Sequence, residues 1–206
     1  SISLTIKLCI ANAIVFLDRS MMVEEKIPVS MILDFENYIP AILPKFNDSF
    51  LIRHFENEQL DKQNWVDILL ECDELKDSNE GDHRFSQLSL EGVEKLFSQM
   101  FFAIDSKSNE TIGTITGWHG EFENVFMGRI HWLSVRPQFQ NIGVASSLLS
   151  TALALLSKSF YKVYLNTSNK NLIAIKLYIK FGFKPVISNK ADAMIWDSIL
   201  QRIDSL

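Results

Sequence analysis

The chain has 206 residues, a length that suits one main hydrophobic core rather than several domains. Its hydrophobic fraction of 47% and its 15 phenylalanines supply enough apolar surface for that core to fold. The formal net charge of −5 argues against a surface that holds nucleic acid by clustered lysines and arginines, so we expect no nucleic-acid partner.

The N-terminal part of the sequence gives no assignable fold, and we treat residues 1–48 as an extension that packs on a domain formed by residues 49–206. Its apolar run at residues 8–17 is about half as long as a membrane-spanning helix requires, and no small-residue cleavage site follows it. We therefore expect a cytoplasmic protein with no membrane partner. Cys9 and Cys72 lack metal-ligand spacing, so we expect reduced thiols outside catalysis and no metal site.

The first half of the domain is predicted to combine a strand with short helices. Residues 50–55 alternate in a way that is typical of a strand, and residues 61–75 carry apolar side chains at helical spacings of three and four. Residues 76–85 are charged and contain a glycine, which predicts a loop or lid. A second short helix is predicted within residues 90–100, where apolar residues share one face.

The second half is predicted to begin with an antiparallel meander and to continue with alternating helices and strands. Polar turns separate the three β-rich runs of the meander, which are residues 101–105, 111–118 and 127–135. The alternation that follows comprises a helix at 143–159, a strand at 162–167, a helix at 171–181 and strands at 182–186 and 191–196. This order predicts an α/β or α+β layered sheet.

The stretch VRPQFQNIGVA, residues 135–145, joins an apolar strand to a long helix through a turn with few reactive side chains. The first turn of a helix presents backbone N–H groups without intrahelical partners, together with a partial positive charge, and so binds anions. Gly143 would let a phosphate approach the chain closely. The backbone itself is thus the candidate functional group, although a simple turn without a ligand is the alternative.

This stretch resembles the acyl-CoA-binding signature of the GNAT acetyltransferase superfamily. The signature, Val-x-Pro followed by Gln/Arg-x-x-Gly-x-Gly/Ala, is matched by Val135, Pro137, Gln140, Gly143 and Ala145. A second family motif is matched about 25 residues later by Asn171, Ala174, Leu177, Tyr178, Gly182 and Phe183. The resemblance extends from about residue 50 to residue 198. It implies a mixed sheet with an antiparallel meander, a strand-helix-strand-helix continuation and a splayed central parallel strand pair.

The resemblance also implies that acetyl-CoA is the co-substrate. The backbone amides of the loop would wrap the pyrophosphate, and Ser146 would add a hydroxyl donor. Because the loop is uncharged, we expect affinity to rest on these amides and on Arg136. The residues expected to bind the cofactor are Leu133, Val135, Gln140, Asn141, Ile142, Gly143, Val144, Ala145, Ser146, Asn171 and Tyr178.

Two of these residues are expected to share one helix face. Asn171 and Tyr178 are seven residues apart, which is two helical turns and an axial rise of about 10 Å. The family places the asparagine on the pantetheine arm and the tyrosine beside the sulfur, where a phenol can protonate the departing thiolate. A helix N-cap is the structural alternative for Asn171, and a core aromatic is the alternative for Tyr178.

The candidate general base is His131, whose unperturbed pKa near 6.5 would let it accept a proton from a substrate ammonium directly or through water. Glu121 and Glu123 in the preceding turn are rival bases, and a packed histidine is the structural alternative. The family implies a β-bulge near Leu133, whose backbone N–H would face the thioester oxygen as the oxyanion donor.

The expected activity is transfer of an acetyl group to a primary amine of a small molecule or peptide by direct attack in a ternary complex. A non-catalytic acyl-CoA-binding domain is one alternative, and an interaction module that uses residues 1–48 is another. The net acidity favours a cationic amine weakly. Monomer and homodimer both stay open. Four aromatic residues are candidates to line the acceptor pocket or to belong to the core: Phe101, Phe102, Trp118 and Trp132.

Overall fold

The structure is a computed structural model that describes residues 25–37 and 48–206. The described residues form a mixed α/β fold with seven strands and six α-helices. The strands are β1 Pro28–Asp34, β2 Phe50–His54, β3 Met100–Asp105, β4 Thr111–Phe122, β5 Val125–Val135, β6 Lys162–Ser168 and β7 Lys184–Pro185. The helices are α1 Glu58–Glu71, α2 Ser78–Leu88, α3 Leu96–Gln99, α4 Val144–Leu156, α5 Leu172–Lys180 and α6 Lys190–Asp204.

The described residues divide into two compact units, a larger one within Leu33–Leu165 and a smaller one that combines the described part of Ser1–Ile32 with Asn166–Leu206. The apolar run at residues 8–17 and Cys9 lie outside the described residues, so the expectations for them stay predictions.

The larger unit contains the predicted antiparallel meander. Its strands follow the order β2-β3-β4-β5-β6, in which β2 to β5 pair antiparallel. Strand β6 joins β5 in parallel, with register from Gly128↔Val163 to Ile130↔Leu165. The predicted mixed sheet, with its meander and parallel pair, is confirmed.

Helix α1 packs the core of the larger unit, as its helical spacing predicts. Trp65, Ile68 and Leu69 are fully buried in one hydrophobic cluster. The ring of Trp65 meets Phe85 edge-on with 5.7 Å between centroids. The side chain of Asn57 caps the helix by accepting a hydrogen bond from the Leu60 N–H at 2.9 Å. Burial of the apolar face therefore fixes α1 against the sheet.

Residues 76–85 were expected to form a loop, and this prediction was wrong because most of them belong to α2. Asp77 caps the helix by accepting a hydrogen bond from the Glu80 N–H at 2.9 Å. Gly81 lies so close to α1 that a Cβ atom there would come within 2.8 Å of Val66. The glycine that suggested a loop therefore allows two helices to pack closely. Phe85 supplies a large buried side chain of the helix.

The short helix predicted within residues 90–100 is only partly present. A 3-10 turn at Val93–Lys95 leads into α3, which is a single turn. Leu96 is buried, whereas Leu90 is exposed and precedes the turn. Gly92, with φ of 107°, starts the turn and separates Leu90 from the helical residues.

Helix α4 covers the sheet of the larger unit with an almost wholly buried side. Its buried residues include Leu148, Leu149, Ala152, Leu153 and Leu156. Gly113 of β4 lets the helix lie close to the strand, since a Cβ atom there would come within 3.1 Å of Leu148. The N-terminus of α4 is thereby held directly after the turn that leaves β5.

The smaller unit contains β1, which falls in the stretch left unassigned by the sequence, and β7, with which it pairs antiparallel at Met31↔Pro185. The strand predicted at residues 191–196 is wrong, because these residues belong to α6. Asn189 caps α6 by accepting a hydrogen bond from the Asp192 N–H at 3.0 Å. Its buried residues are Trp196, Ile199 and Ile203, a helical spacing that extends beyond the window read as a strand.

Candidate active site

The first turn of α4, directly after the loop from β5, presents backbone N–H groups without intrahelical partners, as the sequence predicts. Gly143 occupies the N-cap position with φ of 95° and provides no side-chain cap. Its carbonyl accepts the first helical hydrogen bond, from the Ser147 N–H at 3.0 Å. The N–H groups of Val144, Ala145 and Ser146 therefore have no intrahelical acceptor and point out of the helix end. Together with the helix dipole, they make this end suitable for an anion.

Two residues of the loop adopt left-handed backbone conformations. Asn141 has φ of 63°, and Gly143 has φ of 95°. A Cβ atom built on Gly143 would have no other atom within 4 Å. The space in front of the glycine is thus open for a ligand to approach the backbone.

Gln140 and Val135 hold the loop in place. The Gln140 side-chain Nε2 donates a hydrogen bond to the Val135 carbonyl at 3.0 Å. The Cys72 thiol donates to the same carbonyl at 3.3 Å. Burial, followed by the charge of Glu74, raises the pKa of Cys72 to about 11, so this thiol stays protonated near neutral pH. Gln140 acts on the backbone of the loop here, and its contact with the cofactor stays a prediction.

Arg136 was expected to contribute charge to the phosphate site, and the structure does not support this. Its side chain is mostly buried, and it forms an ion pair with Glu71 through Nη1. Its Nε donates to the Thr111 carbonyl at 2.8 Å and lies 3.5 Å from a carboxylate oxygen of Glu110. The arginine thus anchors the end of β5, and its described partners are Glu71, Glu110 and Thr111.

Strand β5 contains the bulge that the family resemblance implies. Ser134 pairs with Thr114, and His131 pairs with Thr116, so Trp132 and Leu133 both face one residue of β4. Trp132 has φ of 54°, the left-handed geometry that allows the extra residue. The oxyanion role of the Leu133 backbone N–H stays a prediction.

His131 lies beside the bulge in a partly buried and cationic environment. Its ring stacks on Trp132 with 5.0 Å between centroids, and its Nε2 lies 3.5 Å from Nη2 of Arg129. Burial, reinforced by the charges of Arg129 and Arg84, lowers the pKa of His131 to about 3. The pKa near 6.5 that we expected does not apply in this environment, and the role of His131 as a base stays a prediction.

A cavity of about 310 Å³ opens beside His131. Trp118 and Trp132, two of the four aromatic candidates for a pocket or for the core, line it. Phe101 and Phe102 instead belong to the buried core. The seven residues that line the cavity are Arg84, Gln87, Leu88, Trp118, Arg129, His131 and Trp132.

Sequence reasoning missed the polar part of this cavity. Arg129 is two residues before His131 on the same strand, and the period-two pattern of a strand could have identified it as a neighbour. Arg84 and Gln87 lie on α2. The residues around Arg84 were expected to form a loop, so no helix face was available to predict its direction.

The two glutamates considered as rival bases lie on the β4–β5 hairpin. Glu121 belongs to β4 rather than to the turn, whereas Glu123 and Asn124 form the turn with φ of 50° and 62°. Both glutamates are exposed. Neither is among the described residues that line the cavity.

Asn171 and Tyr178 lie on the predicted helix of the smaller unit. Asn171 holds the N-cap position of α5 without a side-chain cap bond, and its Nδ2 donates to Thr167 Oγ1 at 3.4 Å. Tyr178 is buried, with its ring 5.8 Å from that of Phe183. Asn171 thus occupies the N-cap position and Tyr178 the core position that were their structural alternatives. The cofactor roles of the two residues stay predictions.

Within residues 25–37 and 48–206, no cluster of three His, Cys, Asp or Glu side chains has the arrangement of a metal site. No helix in that part of the chain has the length and apolar character needed to cross a membrane.

Several solved structures are similar to this chain. A GCN5-related N-acetyltransferase from Sphaerobacter thermophilus has a TM-score of 0.59 and 20% identity over 82% of this chain. The match spans only 52% of the Sphaerobacter chain, or about half its length. A protein from Pyrococcus horikoshii OT3 has a TM-score of 0.58 and 23% identity, with 68% of this chain and 92% of that chain covered. These similarities support the fold.

A third solved structure, the NatC complex bound to Gag peptide and CoA, has a TM-score of 0.51 and 21% identity, with 64% of this chain and 82% of that chain covered. No curated protein matches the chain. Residues 62–183 match the model of the Acetyltransferase (GNAT) family, which is more than half of the chain. This match, together with the strand-loop-helix geometry, shows that the chain belongs to the GNAT acetyltransferase family.

Proposed function

We propose that the chain is an acetyl-CoA-dependent N-acetyltransferase that moves the acetyl group to a primary amine of a small molecule or peptide. The observation that carries the proposal is the loop at residues 140–146, in which the left-handed conformation of Gly143 leaves the N-terminus of α4 open. The chain that contains this loop belongs to the GNAT acetyltransferase family. The similarity to the NatC complex, whose structure contains bound CoA, also supports a CoA-binding fold.

The cofactor would bind through its pyrophosphate. The N–H groups of Val144, Ala145 and Ser146 supply donors at the positive end of the helix dipole. Amides of Asn141, Ile142 and Gly143 would complete the cradle. Because no lysine or arginine belongs to this loop, backbone hydrogen bonds would carry most of the affinity.

The transfer would proceed by direct attack in a ternary complex. The neutral amine nitrogen forms a bond to the thioester carbon, and the carbonyl oxygen becomes an oxyanion that the Leu133 N–H would stabilise. The C–S bond then breaks, and Tyr178 would protonate the departing thiolate. The proton of the amine leaves to His131, Glu121, Glu123 or water. Of these protein groups, His131 is the one that lines the cavity.

The test begins with calorimetry of acetyl-CoA, with acetyl-pantetheine as the matched ligand that lacks the pyrophosphate. We expect acetyl-CoA to bind and acetyl-pantetheine to bind at least tenfold more weakly, since it leaves the α4 amides unused. A thiol-release screen over amines then tests turnover. Binding without thiol release for any amine would favour the non-catalytic acyl-CoA-binding domain, and absence of binding would contradict the proposal.

A further inference from the structure

The cavity beside His131 is cationic although the chain as a whole is acidic. Arg84 and Arg129 both line it, and no carboxylate is among its seven described lining residues. Salt screens charges that lie more than about 10 Å away, so the local arginines outweigh the net charge of −5 for a molecule inside the cavity. The weak preference for a purely cationic amine, based on net charge, therefore does not apply to the cavity.

Arg129 is the residue that defines this character. The strand register places it opposite Trp118 on β4 and Tyr164 on β6. Its guanidinium carbon lies 5.6 Å from the centroid of the Tyr164 ring, and Nη2 lies 3.5 Å from His131 Nε2. The sheet and its aromatic neighbours thus fix the direction of the side chain.

The guanidinium of Arg129 lacks an anionic partner in the described part of the chain. Its Nε is buried and has no hydrogen-bond acceptor there. No carboxylate oxygen of the described residues lies within the 4.0 Å expected of an ion pair with Arg129, in contrast to Arg53 and Arg136. A buried guanidinium nitrogen without an acceptor is unfavourable. Because Arg129 lines the cavity, a ligand oxyanion there would neutralise the guanidinium.

Arg84 provides a second cation at the cavity from α2. Its partner is Glu80, one helical turn away, in a partly exposed pair at 3.1 Å. Pairs of this kind contribute little free energy, so Arg84 can turn toward a ligand at small cost. Burial lowers the pKa of His131 most, and the positive charges of Arg129 and Arg84 lower it further.

We propose that the acceptor amine of this transferase also carries an oxyanion, a carboxylate or a phosphate, which binds Arg129 and Arg84 in the cavity beside His131. This inference rests on the proposed function. The volume of about 310 Å³ is at the lower end for ligand pockets and suits a small molecule. The short distance between Arg129 and His131 suits a molecule whose amine and oxyanion are separated by few bonds.

The experiment compares matched acceptors in the thiol-release assay. Amino acids are paired with their methyl esters, and aminoalkyl phosphates are paired with the corresponding amino alcohols. We expect kcat/KM to be at least about tenfold higher for the oxyanion-bearing member of one set, because the free energy of a charge-assisted hydrogen bond corresponds to about that factor. The set that shows the preference distinguishes carboxylate from phosphate. Equal or higher kcat/KM for the members that lack the oxyanion, in both sets, would overturn the inference.

Variants assign the preference to the arginines. Arg129→Gln should abolish it while leaving acetyl-CoA affinity unchanged, and Arg129→Lys should retain part of it. Arg84→Gln, on an exposed side chain, should reduce it without affecting folding. Lys95→Gln is the matched control, since it removes one exposed positive charge outside the cavity. A preference that survives in both Arg129→Gln and Arg84→Gln would overturn the inference.

Failure of the proposed function is distinguishable from failure of this inference. Loss of acetyl-CoA binding would count against the proposed function alone. If acetyl-CoA binds but no amine turns over, shifts in melting temperature with the same acceptor pairs decide the matter. Melting-temperature shifts that the oxyanion-bearing members cause in the wild type but not in Arg129→Gln would support the oxyanion site. Absence of such shifts in the wild type would overturn it.

Discussion

Gly143 is the single residue on whose backbone conformation the proposed cofactor site depends most directly. With φ of 95°, it adopts a conformation that side-chain-bearing residues rarely reach, and the space beside its Cα is open. We predict that Gly143→Val weakens acetyl-CoA binding by at least tenfold, or about 1.4 kcal/mol, because the branched side chain enters the phosphate path and strains the turn. Calorimetry measures the affinity.

The matched control is Gly92→Val, which introduces a similar strain at φ of 107° in a turn outside the proposed site. The control should bind acetyl-CoA as the wild type does. Unchanged affinity in a folded Gly143→Val variant would contradict the assignment of the pyrophosphate to this loop.

Tyr178 tests the proposed general acid. Tyr178→Phe keeps the buried ring and its contact with Phe183 but removes the hydroxyl. If thiolate departure limits turnover, we expect kcat to fall by about 10² to 10⁴ while acetyl-CoA affinity persists. Steady-state kinetics and calorimetry give the two values. Tyr161→Phe removes an exposed hydroxyl as the control, and normal turnover by Tyr178→Phe would transfer the acid role to water or the acceptor.

At the scale of secondary-structure elements, the β5 bulge determines which side chains share the cavity. Neighbouring residues of a regular strand point to opposite faces. The left-handed Trp132 interrupts this alternation, so His131 and Trp132 both line the same cavity. The bulge thereby places an imidazole, an indole and the Leu133 backbone next to one another.

Helix α2 depends on its N-cap because few of its side chains are buried. Asp77→Ala removes the hydrogen bond to the Glu80 N–H and should lower the free energy of unfolding by about 1 kcal/mol, as measured by urea denaturation. Asp77→Asn keeps an acceptor oxygen at the same place and should retain most of the stability. Equal losses in the two variants would mean that charge, rather than capping, is the cause.

At the scale of the whole molecule, His131 links stability to pH. Its pKa is about 3 in the folded chain, compared with about 6.5 for an unfolded histidine. Between these values the unfolded state binds a proton that the folded state does not, so this contribution to stability is complete above pH 6.5 and is lost as the pH falls toward 3. The slope stays below the limit of about 1.4 kcal/mol per pH unit for one proton.

We therefore predict that His131→Gln reduces the dependence of the unfolding free energy on pH between about 7 and 4. Urea denaturation at several pH values measures it, and His54→Gln, which removes an exposed imidazole from the same sheet, is the control. Wild-type and His131→Gln curves that run parallel over this range would contradict the buried, neutral state of His131.

The sequence by itself determined the features that arise from local patterns. Helical spacing identified α1, alternation identified the meander, and the VRPQFQNIGVA stretch identified the strand-loop-helix unit and its family. These predictions succeeded because each depends on residues close together in the chain. A glycine before a helix N-terminus, for example, specifies a local turn whatever the rest of the fold does.

Only the tertiary structure decided the features that depend on residues distant in sequence. Gly81, which suggested a loop, lies against Val66 of another helix, a contact that no local pattern contains. Arg136 pairs with Glu71 rather than facing the loop, and Arg129 acquires its surroundings from two neighbouring strands. Burial and charge within a cavity are sums over many elements, so the pKa of His131 and the cationic cavity emerge only when the chain is folded.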